Sequence, residues 1–372
     1  MPDTTVRYYA STMTGAPTLS GTAGALIGVL DACLVNGFGS VTLTSLVVAS
    51  NVATATVSGG HNFANYGNTL LGPVITIAGA TPSGLNGEWR INVTSSTQFT
   101  FATTGISDQT ATGTITAKRS PAGFAKTYSG TNKAVYRANA VSSTRLYLRV
   151  NDAPTQYPEL RMYEAMSDVD TGTGATDIRY TYKSSTENST ARAWTLIAND
   201  RCFYLINDYD TVYAQSGFQF GDIISYLPGD AYHCVINANY NSPSYASRLC
   251  EVNNYVDRFL SRSYTQIGGA VFFIQKAFNQ SSYIGYVGQA TFPSVVGNHV
   301  HLSPVEIMEG STDNTGPLRG RQPGLYSPFF GYATLNSGTI VNNVIIDGTP
   351  RVIIIVALYN GRLAFDITGP WQ

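Results

Sequence analysis

Charge is what this sequence most lacks. Asp, Glu, Lys and Arg make up 12% of its 372 residues, about half the ~25% of an ordinary soluble domain. A chain with so few ions must build its polar exterior from Ser, Thr, Asn, Gln, Tyr and Gly. Such neutral groups are cheaper to desolvate at a contact than ions are. A free monomer ordinarily carries more charge for solubility, so the shortage points to a subunit of an assembly. The 22 basic and 23 acidic residues leave a net charge of −1. That excludes a global field for nucleic acid or for an anionic membrane surface.

Long apolar runs are missing as well. No segment approaches the ~18 uninterrupted apolar residues of a membrane span. The opening Met-Pro-Asp-Thr-Thr has no basic stretch followed by an apolar one, so neither a span nor a secretory leader is expected. The four cysteines, Cys33, Cys202, Cys234 and Cys250, show no CxxC or other zinc spacing. Free, mostly buried thiols in a protein made in a reducing cytosol are the expectation. GxSxG, HExxH, Walker A and GxGxxG are all absent. There is no fixed-period repeat, no coiled-coil heptad and no low-complexity tail.

What the chain does have is short alternating segments, 43% hydrophobic residues and 24 tyrosines. That much apolar surface can bury a core, and tyrosine suits both strands and contact surfaces. The expected fold is mainly β: a multi-part antiparallel β-sandwich or barrel with one N-terminal helix. Residues 1–40 read as an extended arm and that helix. Ala23, Leu26, Ile27, Leu30 and Leu34 recur at helical spacing, with Ser20 or Thr22 as cap and Asn36-Gly37 as stop. The arm, residues 1–18, either reaches onto a neighbour or packs on its own core.

Residues 41–118 read as an inserted small β-barrel or sandwich module. Within 41–117 only Glu88, Arg90 and Asp108 are formally charged. The segments VTLTSLVV, NVATATV, PVITIA, GEWRINV, FTFAT and TGTITA alternate, separated by turns such as Ser50-Asn51 and Gly59-Gly60. Six short strands in so few residues favour a barrel or sandwich. The preceding helix has no packing partner inside the module.

Residues 119–372 read as the main β-rich domain. Its strand candidates are RLYLRV, IRYTY, AWTLIA, CFYLI, HCVINAN, AVFFIQ, TIVNNVII, RVIIIVALY and GRLAFDI. Asn360-Gly361 is a hairpin signal and Asp347-Gly348-Thr349-Pro350 a turn. The unbroken run Val352 to Val356 predicts a strand buried on both faces. Leu249, Val252, Val256 and Leu260 sit at helical spacing, against which Asn253-Asn254 argues.

Reactive residues are scarce. His299 and His301 form an HxH pair that a strand would put on one face, a two-ligand metal platform without a defensible third ligand. Asp168 and Asp170, in SDVDTGTG, resemble the start of a calcium loop but lack its later ligands, and an Asx turn needs no ion. Asp208 with Asp210, and Asp222 with Asp230, are loop carboxylates of the kind a glycosidase pairs, with nothing to distinguish them from solvated turn residues. Arg319-Gly320-Arg321 before Gln322-Pro323-Gly324 reads as a compact basic loop that faces solvent or meets a neighbouring subunit's carboxylate or a phosphate; two arginines are too few for a nucleic-acid footprint. No catalytic residue, cofactor or metal is expected. Arg319, Arg321, Tyr8 and Tyr9 are the interface candidates.

Together, LSGTAGALIGVLDACLVNGFG, SDVDTGTG, FGDIISYLPGDAYHC, GPLRGRQPGLYSP and ALYNGRLAFDITGPW resemble virion proteins of tailed bacteriophages. The stretch from NVATATVSGGHNF through PVITIAGATPSGLNGEWRINV to TQFTFAT is similar to small β modules of phage tail and baseplate proteins. The resemblance touches both ends and the middle of the chain and brings no catalytic residues with it. It implies a virion component made in the host cytoplasm, a homo-oligomer that also contacts other phage structural proteins. A tail, neck or baseplate position is the leading expectation. A capsid decoration protein, a receptor-binding module for a host glycan, and a tail depolymerase are the competitors.

Overall fold

The computed structural model describes residues 3–210, 214–239, 249–251, 258–277, 284, 300–310, 316–330, 336–358 and 361–371, leaving aside the side chains of 300, 301, 329 and 330. It is mainly β, with several antiparallel sheets and one helix, consistent with a multi-sheet sandwich. The largest sheet has thirteen strands. It starts at Arg7–Ala10, which lies beside Trp194–Ala198, and continues through Cys202–Asp208, Gln215–Asp222 and Cys234–Asn237. It ends with Gly361–Asp366, Thr349–Leu358 and, at the far edge, Ile340–Ile346.

Alternation along Cys202–Asp208 explains the layering. Phe203 and Leu205 join a cluster with Leu26, Leu30, Phe124, Tyr136 and Leu148. Cys202, Tyr204 and Ile206, pointing the other way, join Val352, Ile354, Val356, Leu363 and Phe365. The strand is therefore a middle layer. The end of the large sheet covers one of its faces. The helix and a five-stranded sheet, which runs from Phe124–Gly130 to Arg179–Tyr180, cover the other. Val352–Val356 is buried on both faces as its unbroken apolar run predicts: Ile353 and Ile355 enter a cluster separate from that of their neighbours. All four cysteines are buried as thiols.

The helix, Ala25–Leu30, continues as a π-helical segment, Asp31–Asn36, and stops at Gly37, whose φ is 71°. A Cβ there would stand 2.3 Å from the Arg119 carbonyl oxygen, so the stop needs glycine. Leu26, Ile27, Leu30 and Leu34 are buried core residues, but Ala23 lies outside the helix and is exposed. The cap differs from expectation. Neither Ser20 nor Thr22 caps the helix; their hydroxyls bond each other at 2.9 Å. The amides of Leu26 and Ile27 instead donate to Asp152 Oδ2, at 2.8 and 3.2 Å, from a different part of the chain.

Residues 41–118 carry all six expected strands, in two sheets around a core that includes Leu46, Val48, Ala53, Ala55, Ile75, Ile77, Phe99 and Phe101. Two segments divide between the sheets. VTLTSLVV breaks at Leu43-Thr44 and GEWRINV at Ile91. The entering strand Phe38–Thr42 pairs with the leaving strand Thr116–Arg119, so the stretch departs where it arrived. The helix packs against the main body, not into this core. Ser50 and Asn51, at φ 51° and 63°, make the tight turn between Ser45–Ala49 and Val52–Thr56.

Two local readings need correction, and two turn readings stand. Arg319-Gly320-Arg321 is no loop: it lies in the strand Leu318–Phe330, opposite Ile224 and Ser225. Gly320 permits this, since a Cβ there would meet the Ile224 carbonyl oxygen at 2.2 Å. Asp347-Gly348 turns as expected, with φ 48° and 74°, and the hairpin read at Asn360-Gly361 is present: Thr349–Leu358 pairs antiparallel with Gly361–Asp366, Leu358 opposite Gly361, with Asn360 outside the described residues. Leu260 belongs to the strand Arg258–Leu260, so the helical spacing does not describe it; Val252 and Val256 lie outside the described residues.

Candidate functional site

In a charge-poor chain the position of each ion is informative. Among the described residues, thirteen of the 22 basic and 23 acidic side chains are buried. Buried ions must be paired or hydrogen-bonded, and the partners here are internal. The exterior is thus even less ionised than the composition indicates.

The arm shows the pattern. Arg7–Ala10 is an edge strand of the large sheet, so the arm packs on its own body. Arg90, one of the three charges of the 41–117 stretch, sends Nε to the Asp3 carbonyl and Nη2 to the Val6 carbonyl, both at 2.9 Å. Glu88 pairs with Arg7. Asp108 takes the Ser50 amide at 2.9 Å and holds the tight turn. Tyr9 is buried and donates its hydroxyl to the Ser120 carbonyl at 2.6 Å, so it is not available as an interface residue in this fold. Tyr8, half-buried, meets Tyr66 edge-on at 5.8 Å; burial pushes its hydroxyl up to about 12.

Arg319 is fully buried, again not an exposed interface group. It forms two bonds of 2.8 Å with Asp230 and another with Glu309. Burial alone would raise the Asp230 carboxyl. Bonds from Arg319, Ser225 and the Tyr232 amide outweigh it and hold the group below the ordinary 3.8. Arg321 is half-buried and stands 3.8 Å from Asp347.

Asp222 and Asp230 line one cleft of about 450 Å³, together with His233, Arg201 and Trp371. Asp222 ends the strand Gln215–Asp222, not a loop, and accepts the Thr144 amide at 2.9 Å and its hydroxyl at 2.5 Å. His233 turns Nδ1 to the Asp230 carbonyl at 2.5 Å and Nε2 toward Asp222 at 3.6 Å. Ser225 donates to Asp230 at 2.7 Å. Asp230 is engaged by Ser225 and His233 bonds its carbonyl, whereas Asp222 is held by Thr144 and Arg201 stands 3.7 Å from Asp200. Asp208 and Asp210 diverge: Asp208 ends the strand Cys202–Asp208 and is raised by burial against a bond from Gln215, whereas Asp210 is exposed, 3.7 Å from Arg192.

Asp168 Oδ1 accepts the amides of Asp170 and Thr171 at 2.7 and 2.8 Å, an Asx turn. Asp170 faces Lys133 and Arg149, whose bonds lower its carboxyl. The two carboxylates do not converge on a common point with other acids; no cluster of three metal-ligating side chains occurs among the described residues. His301 lies in the strand Val300–Glu309, and His299 lies outside the described residues.

Sequence reasoning missed two features. Lys183 and Asp152 form a buried ion pair with no local signal in either segment. Tyr157, Tyr182 and Tyr209 stack in a row, with ring centroids 4.8 and 4.1 Å apart. Exposed apolar side chains are the remaining candidates for contact: Val141 is 92% exposed, Ile267 78%, Leu70 75% and Ile345 65%. Ile345 lies on the sheet edge Ile340–Ile346, a strand with no charged residue and one neighbouring strand among the described residues. No described helix is long and apolar enough to cross a membrane. No known family model matches the chain, and no curated protein matches it.

Proposed function

We propose that this chain is a structural subunit of a tailed-bacteriophage particle, associated with the tail, neck or baseplate, and that its work is assembly. The observation that carries the reading is the turning inward of its few ions. Burying thirteen of the 45 leaves an exterior sparser in charge than the composition alone gives, which a neighbour covers at lower desolvation cost. The uncharged edge Ile340–Ile346 lacks the lysines and prolines that usually blunt a free edge, although a bulge at Asn343 interrupts it.

The partners are other copies of the chain and neighbouring virion proteins, across interfaces of ~1,200–2,000 Å² or more. Separation of heads from tails in purified particles tests the position. Recovery with tails supports the reading, and recovery with heads supports a capsid decoration role instead. The tyrosine row favours a second reading, in which a host glycan packs on the outer rings. Binding on a glycan array that is lost in Tyr209→Ala would establish it.

A further inference from the structure

Asp152 and Lys183 meet inside the protein, both essentially without solvent exposure. Each is held by its own backbone. The Asp152 amide donates to the Asn132 carbonyl at 2.7 Å, and the Lys183 amide to the Gln156 carbonyl at 3.0 Å. Lys183 Nζ contacts Asp152 Oδ1 and also donates to the Thr22 carbonyl at 2.7 Å. Asp152 Oδ2, the other oxygen, receives the Leu26 and Ile27 amides.

That arrangement is more than an ion pair. An amine beside a carboxyl carbon, with two amides aimed at the oxygen that would carry negative charge, has the parts of acyl transfer. We propose that Lys183 and Asp152 condense spontaneously into an amide cross-link. A proton first passes from Nζ to Oδ1, giving amine and carboxylic acid. The Nζ lone pair then attacks Asp152 Cγ, and the Leu26 and Ile27 amides stabilise the developing charge on Oδ2. The Cγ–Oδ1 bond breaks as a second Nζ proton joins the departing hydroxyl, so one water leaves. Ammonium and carboxylate become amide and water, with no oxidant or other reactant.

Every remaining hydrogen bond survives the reaction. Oδ2, now an amide oxygen, still accepts the two helix amides, and the remaining Nζ–H still donates to Thr22. Burial supports the first step, because it raises the Asp152 carboxyl and lowers the Lys183 ammonium despite their mutual attraction. The product would tie the start of the helix and the five-stranded sheet to the segment leading into the large sheet. The inference is independent of the phage reading.

Mass spectrometry of the purified full-length protein tests it. The intact mass is expected to fall short of the sequence mass by one water. Trypsin cuts after Arg149, Arg161, Arg179 and Arg192 but not after a modified Lys183. It should therefore release a branched peptide joining residues 150–161 to residues 180–192. Lys183→Arg should restore the full mass and both linear peptides. Recovery of linear 150–161 and 180–183 from the folded wild-type protein, at full intact mass, would overturn the proposal whether or not the variant folds.

Discussion

Asp230 and Arg319 meet in two parallel bonds, Nε to Oδ2 and Nη2 to Oδ1, each 2.8 Å long. They are 89 positions apart and both buried. The pair pins the segment around Asp230 to the strand Leu318–Phe330 and removes two ions from the surface.

Arg319→Met should destabilise the fold by ~3–5 kcal/mol, because Asp230 and Glu309 would be left as buried, uncompensated charges. Urea denaturation at neutral pH measures it. Lysine cannot reproduce the planar fork, so Arg319→Lys should recover only part of the loss. The Asp230 carboxyl lies below its unfolded value of 3.8, so its contribution is present above that pH and lost as pH falls through the lower folded value. Wild-type stability should therefore drop below about pH 4 more steeply than that of the methionine variant.

Ile354→Ala and Ile355→Ala should each cost ~2–5 kcal/mol, since the two neighbours enter separate buried clusters. A strand with one wet face would give one large loss and one small one. Thermal or urea unfolding of the two variants distinguishes the cases.

Arg90→Met should free the N-terminal arm. The variant loses bonds to the Asp3 and Val6 carbonyls while the strand Arg7–Ala10 keeps its pairing to Trp194–Ala198. Tryptic cleavage after Arg7 should rise about tenfold, the equivalent of ~1.4 kcal/mol of lost protection against local opening. Global unfolding should move much less.

Ile345→Lys should weaken self-association without unfolding the chain. Ile345 is 65% exposed on an uncharged edge, and surface changes of this kind alter stability by only about 0.5 kcal/mol. Light scattering against concentration should show smaller species for the variant at an unchanged melting temperature.

Much of the fold is legible where burial is simple. CFYLI and Val352–Val356 read as strands because both faces are apolar, and the 41–118 stretch reads as strands because one face is. Gln215–Asp222 does not read as a strand, and its glycines are the reason. A Cβ at Gly221 would stand 2.2 Å from the Arg201 carbonyl oxygen, so close packing has replaced the apolar pattern. Gly320 disguised the strand around Arg319 in the same way. The helix stop was legible from Asn36-Gly37, but the cap was not, because Asp152 reaches it from a distant segment. For the same reason the pairing of Lys183 with Asp152 leaves no mark on either local sequence. The shortage of charge was visible in composition; its inward placement was not, since burial is a property of the assembled sheets.

Quantitative mass spectrometry of purified virus particles decides whether the chain works by assembly. The chain should be present at a few to a few dozen copies per particle, in fixed proportion to the major tail protein. Its absence from every particle, together with a purified chain that stays monomeric and freely soluble at high concentration, would rule out an assembly role.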